Sequence, residues 1–164
     1  MRRPVLIAAA LMIAGNAAAA APASVAVFDV QFVNASLEPT TPAETARLGA
    51  LTQQLRDALV KSGKYRVVDL GPIKDELAKN ADLAHCNGCE LPLAQKAGAQ
   101  QAAVAWVHKI SNIVLDLNLE IDDAKTGKRV ASGTVELKGN SDETWSRGLS
   151  YLLENRIFPD KPGG

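Results

Sequence analysis

Apolar positions along the chain fall into blocks with two different periods. Ser24 to Val33 reads Ser-Val-Ala-Val-Phe-Asp-Val-Gln-Phe-Val, dense in β-branched and aromatic residues, with an Ala/Pro stretch before it and Asn34 after it. That composition and those boundaries predict a strand. Residues 34–41 read as a loop. The period then changes: Leu48, Leu51, Leu55, Ala58 and Leu59 recur on one face of a helix. Thr41 and Glu44 have the spacing of a capping box, and Pro42 stands where a first helical residue tolerates proline. Gly63 stops the helix, with Lys61 and Lys64 placed to meet the negative end of its dipole. Tyr65 to Leu70 predicts a second strand. Strand, long helix, strand is the unit that lays a helix across a sheet.

Shorter elements follow. Pro72 opens a short helix with Ile73 and Leu77, which runs into a loop holding His85-Cys86-Asn87-Gly88-Cys89. Glu90, Leu91 and Pro92 start another, with Leu93, Ala94 and Ala97 inward and Gly98 at its end. Ala102 to Val107, including Trp106, predicts a third strand. From Ile113 to Asp122 the alternation is strict: Ile113, Leu115, Leu117, Leu119 and Ile121 against Val114, Asp116, Asn118, Glu120 and Asp122. A strand with one buried and one wet face has this period. Lys125-Thr126-Gly127-Lys128 is a turn, after which Ala131, Gly133, Val135 and Leu137 alternate with Ser132, Thr134, Glu136 and Lys138. Aligning the apolar faces sets Ile121 near Ala131 and Leu119 near Gly133. The opposite face then carries Asp116, Asn118 and Glu120 beside Ser132, Thr134 and Glu136. Ser141 caps a last helix whose buried stripe is Trp145, Leu149, Leu152 and Leu153. The predicted fold is an α/β (α+β) two-layer sandwich. Its mixed sheet ends in a late antiparallel meander, with helices mainly on one face.

The amino terminus stands apart from this pattern. Met1-Arg2-Arg3 is basic, Val5 to Gly15 is apolar and uncharged, and Ala17 to Ala21 supplies small residues before Pro22. This is the plan of a secretory signal peptide, with Ala18 and Ala20 as the Ala-x-Ala site and cleavage near Ala20. Cleavage after Ala23 is the alternative. The apolar run falls short of the roughly 20 residues a bilayer span needs. The expected organisation is a signal at 1–20, one α/β domain at 21–158 and a Pro/Gly-rich tail at 159–164, in a periplasmic protein. Loss of Arg2 and Arg3 takes Lys plus Arg from 18 to 16 against 18 Asp plus Glu, a net charge near −2. So neutral a chain carries no electrostatic footprint for nucleic acid. No second apolar segment of membrane length follows.

Leu55-Arg56-Asp57-Ala58-Leu59-Val60-Lys61-Ser62-Gly63-Lys64-Tyr65-Arg66-Val67-Val68-Asp69 resembles an element of bacterial envelope proteins. So do Ala94-Gln95-Lys96-Ala97-Gly98-Ala99 and the turn Asp123-Ala124-Lys125-Thr126-Gly127. Their order is similar to the TolB amino-terminal domain and to the curli-secretion lipoprotein. Cys-Asn-Gly-Cys and the helix Trp-Ser-Arg-Gly-Leu-Ser-Tyr-Leu-Leu also resemble small exported bacterial proteins of unknown function. The resemblance implies a periplasmic domain with a bias toward protein–protein contact.

Cys86 and Cys89 are the only cysteines. In an exported protein they meet an oxidising compartment, and a structural disulfide pinning the loop is the favoured reading. A thiol–disulfide redox couple is the rival, since a helix start lowers a thiol's pKa, although Glu90 beside Cys89 opposes a thiolate. A zinc site from His85, Cys86, Cys89 and His108 is a weaker alternative. A c-type haem needs His where Glu90 stands. The serines lack a Gly-x-Ser-x-Gly context, and no Gly-rich phosphate loop is present. No cofactor is expected. The polar hairpin face of Asp116, Asn118, Glu120, Thr134 and Glu136 is a candidate partner surface. A solvated face is its plainer explanation. The expectation is a non-enzymatic module binding another envelope protein or a small ligand. A redox protein, or an accessory to a larger periplasmic enzyme or transport system, is the alternative.

Overall fold

A computed structural model of the protein describes residues 21–80 and 82–158. The signal peptide expected at 1–20 and the tail at 159–164 lie outside the described residues. The chain runs β1 (Ala23–Val27), β2 (Gln31–Asn34), α1 (Pro42–Lys61), β3 (Tyr65–Val67), a 3-10 turn at Gly71–Ile73, α2 (Lys74–Leu77) and α3 (Glu90–Lys96). It continues through β4 (Gln101–Lys109), β5 (Leu115–Asp123), β6 (Arg129–Leu137) and α4 (Asp142–Leu152), which ends in a π turn at Leu153–Ile157. The strands form one mixed sheet of order β3-β1-β4-β5-β6, with β2 also paired to β4. The first strands pair in parallel and β4, β5 and β6 form an antiparallel meander, as the sequence predicts.

The first predicted strand is broken in two. Val25 to Val27 pair with Gln101 to Ala103, whereas Gln31 to Asn34 pair with Trp106 to Lys109. Phe28, Asp29 and Val30 therefore face only Val104 and Ala105, one residue too many for a regular ladder. The extra residue is a bulge, and it shifts the inward parity. Val25 and Val27 point into the main core before it, and Val30 and Phe32 after it; Phe28 turns to the other face. The Val30 N–H, displaced from the ladder, donates to Thr52 Oγ1 of α1 at 2.9 Å. Arg56 holds the exposed Asp29 carboxylate at 2.9 Å. The break is thus anchored from the helix above it.

Helices α1 and α4 cover one face. Leu51, Leu55 and Leu59 meet Trp145, Leu149 and Leu152 over the inward residues of the strands. The capping box is present, with Thr41 N–H donating to Glu44 Oε2 at 2.7 Å and the Glu44 N–H to Thr41 Oγ1 at 3.2 Å. Helix α4 rides very close to β6. A Cβ on Gly148 would fall 2.1 Å from Leu137 Cδ2, so only glycine permits this approach. On the opposite face a smaller cluster of Ile73, Leu83, Leu93 and Ala94 packs on Ala26, Phe28, Ala102 and Val104. This cover stops at β4. The outer faces of β5 and β6 stay open.

One end of the sheet is closed by a buried ion pair. Lys109 Nζ lies 2.7 Å from Glu44 Oε1, each side chain 1% exposed. Asn140 Nδ2 donates to the same oxygen at 2.7 Å, and Arg47 donates to Asn140 Oδ1 at 3.0 Å. The cap of α1, the end of β4 and the loop before α4 are thereby joined. Ile113 departs from its expected place in the alternating strand. It is 75% exposed and precedes β5, because the β4–β5 turn takes up residues 110–114. No helix among the described residues is long and apolar enough to cross a membrane.

Candidate functional site

The hairpin pairs in the register that its alternation predicts. Ile121 faces Ala131, Leu119 faces Gly133, Asn118 faces Thr134 and Asp116 faces Glu136. The turn is set by Asp123, whose Oδ1 accepts from the Thr126 N–H and hydroxyl, each at 2.7 Å. Gly127 then takes a φ of +69°, open to glycine at little cost. Because β4 joins the same ladder, the open face is built in rows. His108, Asp116 and Glu136 form one row across three strands; Trp106, Asn118 and Thr134 form the next; Val104, Glu120 and Ser132 form a third. Thr134 donates to Asn118 Oδ1 at 2.7 Å. Asp116 and Glu136 stand directly opposite, and among the described residues neither forms an ion pair with a lysine or arginine. Like charges so placed repel.

At its turn end the face is walled by the cysteine loop. Cys86 and Cys89 are joined as a disulfide. Asn87 at φ +53° and Gly88 at φ +108° make the tight turn between them. Both cysteines are half-buried and pack on the smaller cluster with Trp106. The loop and α3 overhang the hairpin and enclose a cleft of about 370 Å³. Its charged lining is Glu90, Glu120, Asp122 and Arg129, with Asn87 as a neutral polar neighbour, and its apolar lining includes Leu91 and Trp106. Arg129 clasps Glu120 through two nitrogens at 2.6 and 2.7 Å and also pairs with Asp122. Burial alone would lower the Arg129 pKa, but its bonds to Asp122 and Glu120 hold it above the ordinary value. Among the described residues Glu90 has Cys86 Sγ within reach, at 3.6 Å. An oxidised sulfur has no hydrogen to donate.

The zinc set is not gathered into one place. Among the described residues the metal-ligand atoms that come together are those of Cys86, Cys89 and Glu90. The two sulfurs are bonded to each other. His85 turns to Asp82, with Nδ1 at 3.0 Å, and His108 lies on β4 between Val33 and Asp116. Trp106, on the predicted third strand, packs on the smaller cluster and also lines the cleft. Glu90, Asp122 and Arg129 join the site through tertiary structure. The signals available in sequence were the shared parity of Asp122 with Glu120 and the position of Glu90 beside the cysteine pair; Arg129 has the opposite parity and reaches Asp122 through the register shift at Ile121/Asp122.

This fold, a mixed sheet under two long helices with an open hairpin face, is that of several bacterial protein domains. The chain is similar to the LpoB C-terminal domain from Salmonella enterica, with 17% identity and a TM-score of 0.54 over 74% of this chain and 87% of that one. It is similar also to lipoprotein GNA1162 from Neisseria meningitidis, with 19% identity and a TM-score of 0.53 over 82% of this chain and 96% of that one. At such identities the likeness is one of fold. No curated protein matches the sequence. The chain belongs to the family DUF3280, described as "Protein of unknown function (DUF2380)", whose model matches residues 23–157. The resemblance read from sequence thus holds at the level of a family of unknown function with this fold, without singling out the TolB or curli-secretion type.

Proposed function

We propose that the protein is an exported, non-enzymatic binding module of the bacterial cell envelope. In this reading the signal is removed near Ala20 and residues 21–158 work in the periplasm. They dock another envelope protein, or a small ligand, on the outer face of β4, β5 and β6. The observation that carries the reading is the row containing Asp116 and Glu136. Two carboxylates are paired across strands with no lysine or arginine between them. Such a pair costs stability alone and is relieved when a partner supplies positive charge. The likeness of fold to lipoprotein GNA1162 supports an envelope setting. Kinship with the TolB and curli-secretion domains is a finer part of the same proposal.

Photo-cross-linking in cells tests this reading. A photoreactive residue at Ser132 or Thr134 on the open face is expected to trap a discrete adduct. The same residue at Asp57, on the outside of α1, is the control. Adducts from Asp57 and none from the hairpin would move the binding surface to the helical side.

The redox alternative has one observation in its favour: the disulfide is only half-buried, in a loop whose Asn87 and Gly88 line the cleft. A reduction potential between about −120 and −270 mV would support it, while one below about −300 mV marks a structural bridge.

A further inference from the structure

Among the described residues no nitrogen or oxygen donates a hydrogen bond to the carboxylate of Glu90. The residue is 9% exposed and lines the cleft under the disulfide loop. Among the described residues its neighbour within bonding reach is the disulfide sulfur Cys86 Sγ at 3.6 Å. The residue is largely buried, and its carboxylate meets solvent through the cleft with no cation against it, an arrangement that a charged ligand entering the cleft would complete. Around it the cleft holds two more carboxylates, Glu120 and Asp122, against one guanidinium, Arg129. The formal charge of the lining is therefore −2. Arg129 is already engaged with Glu120 and Asp122, which leaves Glu90 as the uncompensated group.

The apolar walls define the rest of the ligand. Leu91 and Trp106 line the same space. An aromatic face attracts an organic cation, and leucine carbons accommodate an alkyl stem. A hard divalent ion would instead ask for six or more oxygen ligands. We propose that this cleft receives the ammonium or guanidinium of a lysine or arginine side chain from a partner protein. The head group would pair with Glu90 and the stem would lie against Trp106 and Leu91. The cleft opens beside the row of Glu120 and Ser132, so a partner on the hairpin face is within reach of it. This inference rests on the binding-module reading and names the feature of the partner that the module recognises.

The test is a calorimetric titration of residues 21–164 with Nα-acetyl-lysine-methylamide, its Nε-acetylated form and putrescine. Nα-acetyl-arginine-methylamide serves as the guanidinium probe. Saturable binding of the lysine or arginine amide is expected, with at least tenfold weaker binding after Nε-acetylation. Glu90→Gln is expected to lose at least tenfold in affinity and Trp106→Leu several-fold. Glu143→Gln, a carboxylate on the far side of the molecule, is expected to leave binding unchanged. Circular dichroism checks each fold, and Trp106→Leu carries the test should Glu90→Gln misfold. No saturable binding, equal binding of the acetylated lysine, binding of putrescine alone, or an unaffected Glu90→Gln overturns the proposal. Cross-linking from Thr134 in the Glu90→Gln background separates the two claims. Adducts without amine binding sink the cleft proposal and leave the module standing; amine binding without adducts from either protein leaves a cation-binding cleft with no protein partner and overturns both.

Discussion

Replacing Lys109 with methionine asks how strongly the buried ion pair clamps the end of the sheet. Lys109 Nζ sits 2.7 Å from Glu44 Oε1 with both side chains 1% exposed. Methionine keeps much of the stem's bulk and removes the charge. Glu44 then stays buried without its cation. Deleting one partner of a buried pair costs about 3–5 kcal/mol, because the remaining charge is uncompensated. Thr41 and Asn140 still donate to the carboxylate, so the expected loss lies near the lower end, about 3 kcal/mol. With a urea slope of about 2 kcal/mol per molar, the unfolding midpoint should fall by about 1.5 M.

The pH dependence separates this cause from lost packing. Burial alone would raise the Glu44 pKa from its ordinary 4.5, but hydrogen bonds from Lys109, Thr41 and Asn140 outweigh burial and bring it down to about 2. A carboxyl group depressed on folding stabilises the fold above its unfolded pKa. That stability drains away as pH falls from about 4.5 toward about 2. At 1.36 kcal/mol per pKa unit the full gap is about 3 kcal/mol, and solvent screening through the exposed rim of the network reduces it to about 2. In Lys109→Met the effect of burial is less opposed, so Glu44 protonates at a higher pH and the variant escapes most of this loss. The gap between the two proteins should therefore narrow by about 1 kcal/mol or more between pH 7 and pH 3. Urea midpoints by circular dichroism at pH 7, 5 and 3 measure it. A gap below about 1 kcal/mol at pH 7, or one that stays constant down to pH 3, refutes the argument.

Three further outcomes follow from packing and pairing. Gly148→Ala puts a methyl 2.1 Å from Leu137 Cδ2 and should cost about 2–3 kcal/mol in thermal or urea unfolding, as overpacking does. Glu136→Lys should stabilise the hairpin by up to about 1 kcal/mol by pairing with Asp116, and the gain should shrink in high salt. Cys86→Ser with Cys89→Ser should leave the circular dichroism spectrum intact and lower stability by about 2 kcal/mol, the contribution of closing a short loop. Collapse of the fold would instead make the disulfide a condition of folding.

What was legible in the sequence depended on how local its cause is. The hairpin register was readable because alternation fixes which face buries Leu117, Leu119 and Ile121, a slip by one residue turning them all outward, and the short turn at 123–128 excludes slips by two. The capping box of α1 was readable for the same reason, since Thr41 and Glu44 satisfy each other within one turn. The bulge at Phe28–Val30 was not, because it is held by Thr52 of α1, a partner 22 residues away. Nothing local marks Lys109 as buried. Its burial depends on Glu44 and on Asn140, which return to the same corner from opposite ends of the chain. Trp106 shows the limit most clearly. Alternation says which face of β4 it occupies, but not that the cover on that face ends at this strand. A sheet whose second layer is complete has only core on both sides. Where the layer stops, side chains of core parity meet polar side chains of the open strands. Trp106 and Glu90 meet the hairpin carboxylates along this border, so the cleft is a product of incomplete cover rather than of any motif in the sequence.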